Sequence, residues 1–427
     1  MYKGANRDYK MTGAPLNLTD EQHFRSHRTD GRHTSTLAAL MEWMRQRPGD
    51  LNLPERLDTE TFAAWQAQVK ERARLLLNLP QPTPQPEPVL LSSVQRDGYR
   101  VEKWEYYPDD YTAVPFLALI PDGADGQHPV PGVMCMLGSN HTKEFAAAEP
   151  ELSDHPNLDE GDLHYPERNR MALYVVKNGM AAFAFENPGI AETSVLTDAA
   201  IGMSDMYTRQ VLCNQLLNDG LPYVGLTVFH RLQFMDQFLL RQDYVDKERI
   251  GIASHSLGTE GAIFLGLLRD EIRAIVFNED LHDDRHRFMC ITEHPGQRMF
   301  QNYGNWHIVP GQFLSFGYQD MCAAFAPRYL SMNEGGADGF MKTIIRAYEF
   351  CGASDCLTFN YYADYADPAK RQMKVDVPQR GLSSGEFYRK YMYVTVSDHS
   401  FRQESALRLL RRAFGMDEDA VVVTEWK

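Results

Sequence analysis

The sequence predicts an α/β fold: a mostly parallel central sheet flanked by helices, with a helical extension at the N-terminal end. Three observations predict it. Short apolar runs recur along the chain: "GVMCML" (132–137), "MAAFAFE" (180–186), "RIGIAS" (249–254), "RAIVFNE" (273–279), "RYLSMNE" (328–334) and "CLTFNYY" (356–362). Between them lie stretches of helical periodicity at 170–179, 226–242, 258–271 and 340–352. Strands that alternate with helices form parallel sheets covered on both faces, and such strands read as continuous apolar runs. Third, one run ends abruptly in "SHSLGTEGA", where small residues turn a strand directly into a helix.

The elements follow in order. Residues 1–33 are polar and without a clear period, which reads as an extended arm. "TSTLAALMEWMRQ" (34–46) and "DTETFAAWQAQVKERARLLLNL" (58–79) have helical spacing, and Asp58 with Glu60 and Thr61 makes an acidic helix start. "PQPTPQPEP" (80–88) is a proline-rich linker that favours extended backbone. The expected boundary lies there: residues 1–88 as arm, helices and linker, and residues 89–427 as the main domain, with insertions at 139–169 and 190–225. After the linker, "VLLSSVQRDGYRVEKWEYYP" and "AVPFLALIPDG" read as hairpin-like strands at an antiparallel edge.

Composition bounds the function. Hydrophobic content of 43% and charged content of 24% are ordinary for a globular enzyme. A formal net charge of -15 argues against nucleic acid or an anionic membrane as the main partner, since both select basic patches. The polar N-terminus gives no secretory signal and no apolar run approaches membrane-spanning length, so a cytoplasmic location is expected. The six cysteines are scattered without zinc spacing and are expected to be reduced. The oligomeric state is open, a homo-oligomer included.

Ser256 falls where "RIGIAS" meets the next helix. The pattern is G-x-S-x-G with Ser254 in place of the first glycine and Gly258 as the second. A turn of this kind lifts the serine hydroxyl above the sheet. It also sets the Leu257 N–H at a helix N-terminus, where unpaired donors favour negative charge. The same residues would also make a tight turn with no chemistry. A nucleophilic serine needs a base and an orienting acid, which in this architecture come later in the chain. His399, in "SDHSF" between a strand-like stretch and the terminal amphipathic helix, is the expected base, although it is one of 14 histidines. Asp338, in the "GGAD" loop, is the preferred acid over Glu334, Glu279 and Asp280. The loop after "GVMCML" offers Gly138, Ser139 or Asn140 as the second oxyanion donor.

Together, "GSNH", "ENPGIAETS", "SHSLG", "APRYLSMNEGGAD" and "DHSF" resemble the α/β-hydrolase superfamily, and within it the bacterial acetyl xylan esterase-like and dienelactone hydrolase-like branch. The resemblance covers roughly residues 90–415. It implies a serine esterase with Ser256, Asp338 and His399 as triad. It also implies an oxyanion hole from Leu257 and the Gly138–Ser139 region, and no metal or organic cofactor. Ser254 and Thr259 depart from the branch's glycines. Glucuronoyl esterases resemble this branch but usually carry an arginine directly after the serine, where this chain has Leu257.

The expected substrate is a small-molecule or carbohydrate ester with a short acyl group, such as acetyl on a sugar. Two other functions compete. A prolyl-oligopeptidase-like peptidase would need a propeller, for which residues 1–88 are too few and too helical. A non-catalytic binding protein of the same fold would carry an unreactive Ser256. His282 and His286 have the i, i+4 spacing of metal ligands but read better as a salt-linked loop. The aromatics of 301–320 suit either a sugar or acyl site or the core.

Overall fold

A computed structural model of the chain describes residues 29–34, 36–139, 142–152, 169–194, 205–279, 281, 304–372, 388–395 and 399–424. Among them, nine strands form one sheet: β1 (Val89–Arg96), β2 (Tyr99–Tyr106), β3 (Val114–Pro121), β4 (Val130–Met136), β5 (Ala181–Phe185), β6 (Val245–His255), β7 (Ile272–Asn278), β8 (Tyr329–Met332) and β9 (Leu357–Phe359). Their spatial order is β1-β2-β3-β5-β4-β6-β7-β8-β9. The pairs β1–β2, β2–β3 and β3–β5 are antiparallel, and every pair from β5–β4 to β8–β9 is parallel. The antiparallel edge and the parallel body both match the sequence expectation.

The helices are α1 (Thr36–Arg45), α2 (Thr59–Leu77), α3 (Lys143–Ala147), α4 (Met171–Lys177), α5 (Asp205–Asn218), α6 (Tyr223–Gln237), α7 (Leu257–Leu268), α8 (Tyr318–Ala324), α9 (Asp338–Phe350) and α10 (Gln403–Ala413). Side chains alternate across the sheet as strand geometry requires. On β4, Met134 and Met136 join the core shared with α2, α6 and α7, whereas Val133 and Cys135 join the core shared with α4 and α10. On β7, Ile275 and Phe277 face the first core, Ala274 and Val276 the second. With both faces covered, the sheet can present chemistry only at its ends.

The helix just before the linker, α2, settles on this body. Asp58 caps α2 by accepting from the Thr61 N–H at 2.8 Å. One stripe of α2, Phe62, Trp65, Val69, Ala73 and Leu77, is buried in the main core. Trp65 Nε1 donates to the Leu51 carbonyl at 2.9 Å, and Gln66 Nε2 donates to the Ala326 carbonyl at 2.6 Å. The Leu53 N–H donates to Asp320 at 2.9 Å. The sequence left open whether this part covers the sheet or meets another copy; α2 is part of the chain's own core.

The strand ends differ from the sequence reading where it matters for the site. "RYLSMNE" was expected to stay extended through Glu334, but β8 stops at Met332. Asn333 and Glu334 therefore stand just beyond a carboxyl strand end, where catalytic groups collect in parallel sheets. The described cysteines Cys135, Cys213, Cys322, Cys351 and Cys356 are free thiols. No helix among the described residues is long and apolar enough to cross a membrane.

Trp65→Ala should destabilise the protein by about 3–5 kcal/mol, the usual range for emptying an aromatic core site. Denaturant unfolding followed by far-ultraviolet circular dichroism checks this; an unchanged midpoint would mean that α2 only rests on the body.

Candidate active site

β6 ends at His255 and α7 begins at Leu257, so one residue, Ser256, makes the whole turn. Its backbone lies at φ 50, ψ -128, a region that a side chain rarely adopts. Specific contacts hold it there. The Ser256 N–H donates to the Asn278 carbonyl at 3.1 Å. The Ser256 carbonyl accepts from the Thr259 N–H at 2.9 Å and the Thr259 hydroxyl at 2.6 Å. Gly258 is required by space: a Cβ there would lie 2.2 Å from the Met136 carbonyl oxygen and 2.6 Å from that of Leu137. The start of α7 is thus pressed against the end of β4.

The two departures from the glycine pattern have local explanations. Ser254 is buried, and its hydroxyl donates sideways to the Val276 carbonyl of β7 at 2.5 Å, so it does not block the turn. Thr259 uses its hydroxyl to close the turn it sits in. Leu257 opens α7, so its N–H has no acceptor within the helix and lies at the positive end of the dipole. Its side chain is buried with Cys213, Tyr223 and Trp306. Trp306 therefore lies beside the turn, whereas Phe316 and Tyr318 of the same aromatic segment belong to the main core.

The loop after β4 is held by side chains that sequence reasoning did not single out. Asn187 Nδ2 donates to the carbonyls of Leu137 at 3.0 Å and Gly138 at 2.8 Å. Both peptides are trans, so the N–H groups of Gly138 and Ser139 point away from Asn187. Arg209 of α5 donates to the Ser139 carbonyl and stacks 4.4 Å over the Trp306 ring. Asn140 lies outside the described residues. Behind the loop, the buried Lys143 ammonium meets Glu144 at 2.7 Å, Glu186 at 3.0 Å and Glu192 at 2.7 Å. Burial, together with the nearby Glu144 and Glu192, pushes the Glu186 carboxyl up to about 7 against the opposing pull of Lys143.

The acid beside His399 is Glu334, not Asp338. Glu334 Oε2 accepts from His399 Nδ1 at 2.6 Å, and its side chain is fully buried. Its Oε1 accepts from the Ser400 N–H at 3.0 Å and from Asn278 Nδ2 at 3.1 Å. A carboxylate on Nδ1 fixes the tautomer and leaves Nε2 as the basic nitrogen. Asp338 is engaged elsewhere. It opens α9, accepts from Arg371 Nε at 2.9 Å, and its N–H donates to the Arg371 carbonyl at 3.2 Å. Gly335 and Gly336, at φ 92 and φ 132, turn the chain away between the two acids. The glycine loop that drew attention to Asp338 is the device that carries it off.

Glu279 is the other competing acid within reach: Glu279, Glu334 and His399 bring polar side-chain atoms within 4.8 Å of one another. Within this group His399 Nδ1 and Glu334 Oε2 are joined at 2.6 Å. The His255 ring lies 4.5 Å from that of His399. One turn into α7, Glu260 Oε1 pairs with His307 Nδ1 at 2.5 Å. Asp280, His282 and His286 lie outside the described residues.

The Abhydrolase family model matches residues 17–412. The chain belongs to the Abhydrolase family. A crystal structure titled "putative acetyl xylan esterase" from Bacteroides fragilis is 30% identical, covers 92% of this chain and 100% of its own, and superposes with a TM-score of 0.82. A glucuronoyl esterase from Solibacter usitatus shares the fold at 14% identity and a TM-score of 0.53, covering 86% of this chain and 98% of its own. A methylesterase does so at 15% identity and 0.53, covering 90% and 70%. Among curated proteins, none matches the chain.

Within this abhydrolase, the two acids should separate cleanly. Glu334→Gln should lower kcat on an activated ester by about 10³–10⁴-fold, the scale set by neutralising a triad acid. Asp338→Asn should change it by less than about threefold, because Asp338 is bonded to Arg371 rather than to His399. Steady-state kinetics of both variants checks the ranking, and a larger loss in Asp338→Asn would return the role to Asp338.

Proposed function

We propose that the protein is a serine carboxylic ester hydrolase with Ser256 as nucleophile, His399 as base and Glu334 as the orienting acid. The observation that carries this reading is the positive-φ backbone of Ser256 at a direct strand-to-helix junction. Such strain persists where surrounding structure enforces it, and here it lifts a hydroxyl to the carboxyl end of the sheet. The buried Glu334–His399 pair supports it, because a hydroxyl is a weak nucleophile without a base.

The steps need only the chain's own groups, the ester and water. Ser256 Oγ bonds to the ester carbonyl carbon while His399 Nε2 takes its proton. The oxyanion so formed faces the N–H of Leu257 and those of Gly138 and Ser139, aimed away from Asn187. The tetrahedral species expels the alkoxide, and the imidazolium returns the proton to it as the alcohol leaves. Water then attacks the acyl-serine while Nε2 takes its proton, and the imidazolium returns that proton to Ser256 Oγ as the acid departs. Glu334 keeps the imidazolium paired throughout.

The substrate reading is a short acyl ester, with acetyl on a carbohydrate as the named case. The 30% identical relative's title points there. Leu257, buried among Cys213, Tyr223 and Trp306, places an apolar side chain beside the nucleophile, which suits a methyl group better than a carboxylate.

Acetate release from acetylated xylo-oligosaccharides, with p-nitrophenyl acetate as control and the methyl ester of glucuronic acid as competitor, tests both levels. Wild type should release acetate, and Ser256→Ala should lose at least about 10³-fold in kcat. Preference for the methyl glucuronate ester would overturn the acetyl reading. Equal activity in Ser256→Ala would overturn the nucleophile.

A further inference from the structure

One residue touches every segment that carries the proposed triad. Asn278 ends β7, between the nucleophile's strand and the acid's strand. Its backbone carbonyl accepts the Ser256 N–H at 3.1 Å, a direct hold on the strained turn. Its side-chain Nδ2 donates to Glu334 Oε1 at 3.1 Å and to the Ser400 carbonyl at 3.0 Å. Its Oδ1 accepts from the Arg402 N–H at 2.7 Å. The same Nδ2 lies 2.9 Å from His255 Nδ1, and the His255 ring packs against that of His399. The side chain is fully buried.

We infer that Asn278 is a positioning residue for the esterase site, holding the acid and the histidine-bearing loop in register with the nucleophile turn through one side-chain amide. The inference rests on the proposed Ser256–His399–Glu334 reading. Its physical basis is the length and disposition of the amide. An asparagine presents two donors and an acceptor in one plane, and here the donors meet a carboxylate and a carbonyl while the acceptor meets an N–H. The loop carrying His399 is gripped at two points just after the histidine, at the Ser400 carbonyl and the Arg402 N–H. Alanine has none of these groups. Aspartate keeps the shape and the Oδ1 acceptor, but sets a second carboxylate where Glu334 expects a donor.

The charge consequence separates positioning from simple support of the fold. Among the described residues, Glu334, Glu279 and His255 lie against His399. In Asn278→Asp the new carboxylate lies against Glu334, and the negative charge that the pair gains on ionising favours the imidazolium. The acidic limb of kcat/KM, which reports the free enzyme's base, then moves to higher pH.

The experiment compares wild type, Asn278→Ala and Asn278→Asp on p-nitrophenyl acetate, with active sites counted by a fluorophosphonate. Both variants should lose about tenfold or more in kcat per titrated site, with KM within about threefold. The acidic limb should lie higher in Asn278→Asp than in Asn278→Ala. Kinetics per site within about twofold of wild type in both variants would overturn the inference. So would a loss explained entirely by fewer titrated sites and a lower Tm, with the acidic limb at its wild-type position. If wild type takes no fluorophosphonate at Ser256, the nucleophile reading itself falls, and the positioning role falls with it.

Discussion

The structure depends most on the packing of Gly258 against the last carbonyls of β4. No side chain fits there, since a Cβ would come within 2.2 Å of the Met136 oxygen. That approach brings the start of α7 onto the strand end with no linker, and the only residue left to turn the chain is Ser256. A non-glycine residue at φ 50 costs of order 1–3 kcal/mol. The cost is offset by hydrogen bonds from three directions: the Asn278 carbonyl, the Thr259 N–H and the Thr259 hydroxyl. The same closeness sets the N-terminus of α7 beside the Gly138–Ser139 loop, so one packing constraint places both a hydroxyl and the N–H groups that could stabilise charge next to it.

The remainder of the site is a problem of fixing loops that leave the sheet in different directions. Polar side chains at the carboxyl strand ends solve it. Asn187, just after β5, fixes the loop after β4 by its two carbonyls. Asn278, at the end of β7, ties the turn, the acid and the histidine loop. Arg209 brings α5 onto the first of these loops and Trp306 onto Arg209, so a segment distant in sequence flanks the Ser256 turn. Buried donors and acceptors satisfied in this way hold geometry because leaving any one unpaired would be expensive.

Much of this was legible in the sequence, and the exceptions are instructive. The parallel body was readable because buried strands are continuous apolar runs, and the turn was readable because close packing leaves only small residues at Gly258. Ser254 looked like a weakness of the motif, yet its hydroxyl simply donates to the neighbouring strand. The carboxylate bonded to His399 is Glu334 rather than the expected Asp338. A glycine loop ending in aspartate resembles a catalytic loop, but the two positive-φ glycines direct the chain into α9, where Arg371 takes Asp338. Glu334 could have been found by placing the end of β8 at Met332 and asking which carboxylate follows it at once. The roles of Asn187 and Arg209 had no local signal, since each acts on a backbone carbonyl 49 and 70 residues away in sequence.

The central claim is that Ser256 takes the acyl group, and the direct test is to catch it there. Wild type mixed with isotopically labelled p-nitrophenyl acetate, quenched in acid within the first turnovers and digested, should yield a labelled acetyl group on the peptide containing Ser256. His399→Ala treated alike should yield none. Rapid consumption of the ester by wild type with no acetyl on Ser256, or with the label on another residue, would contradict the account.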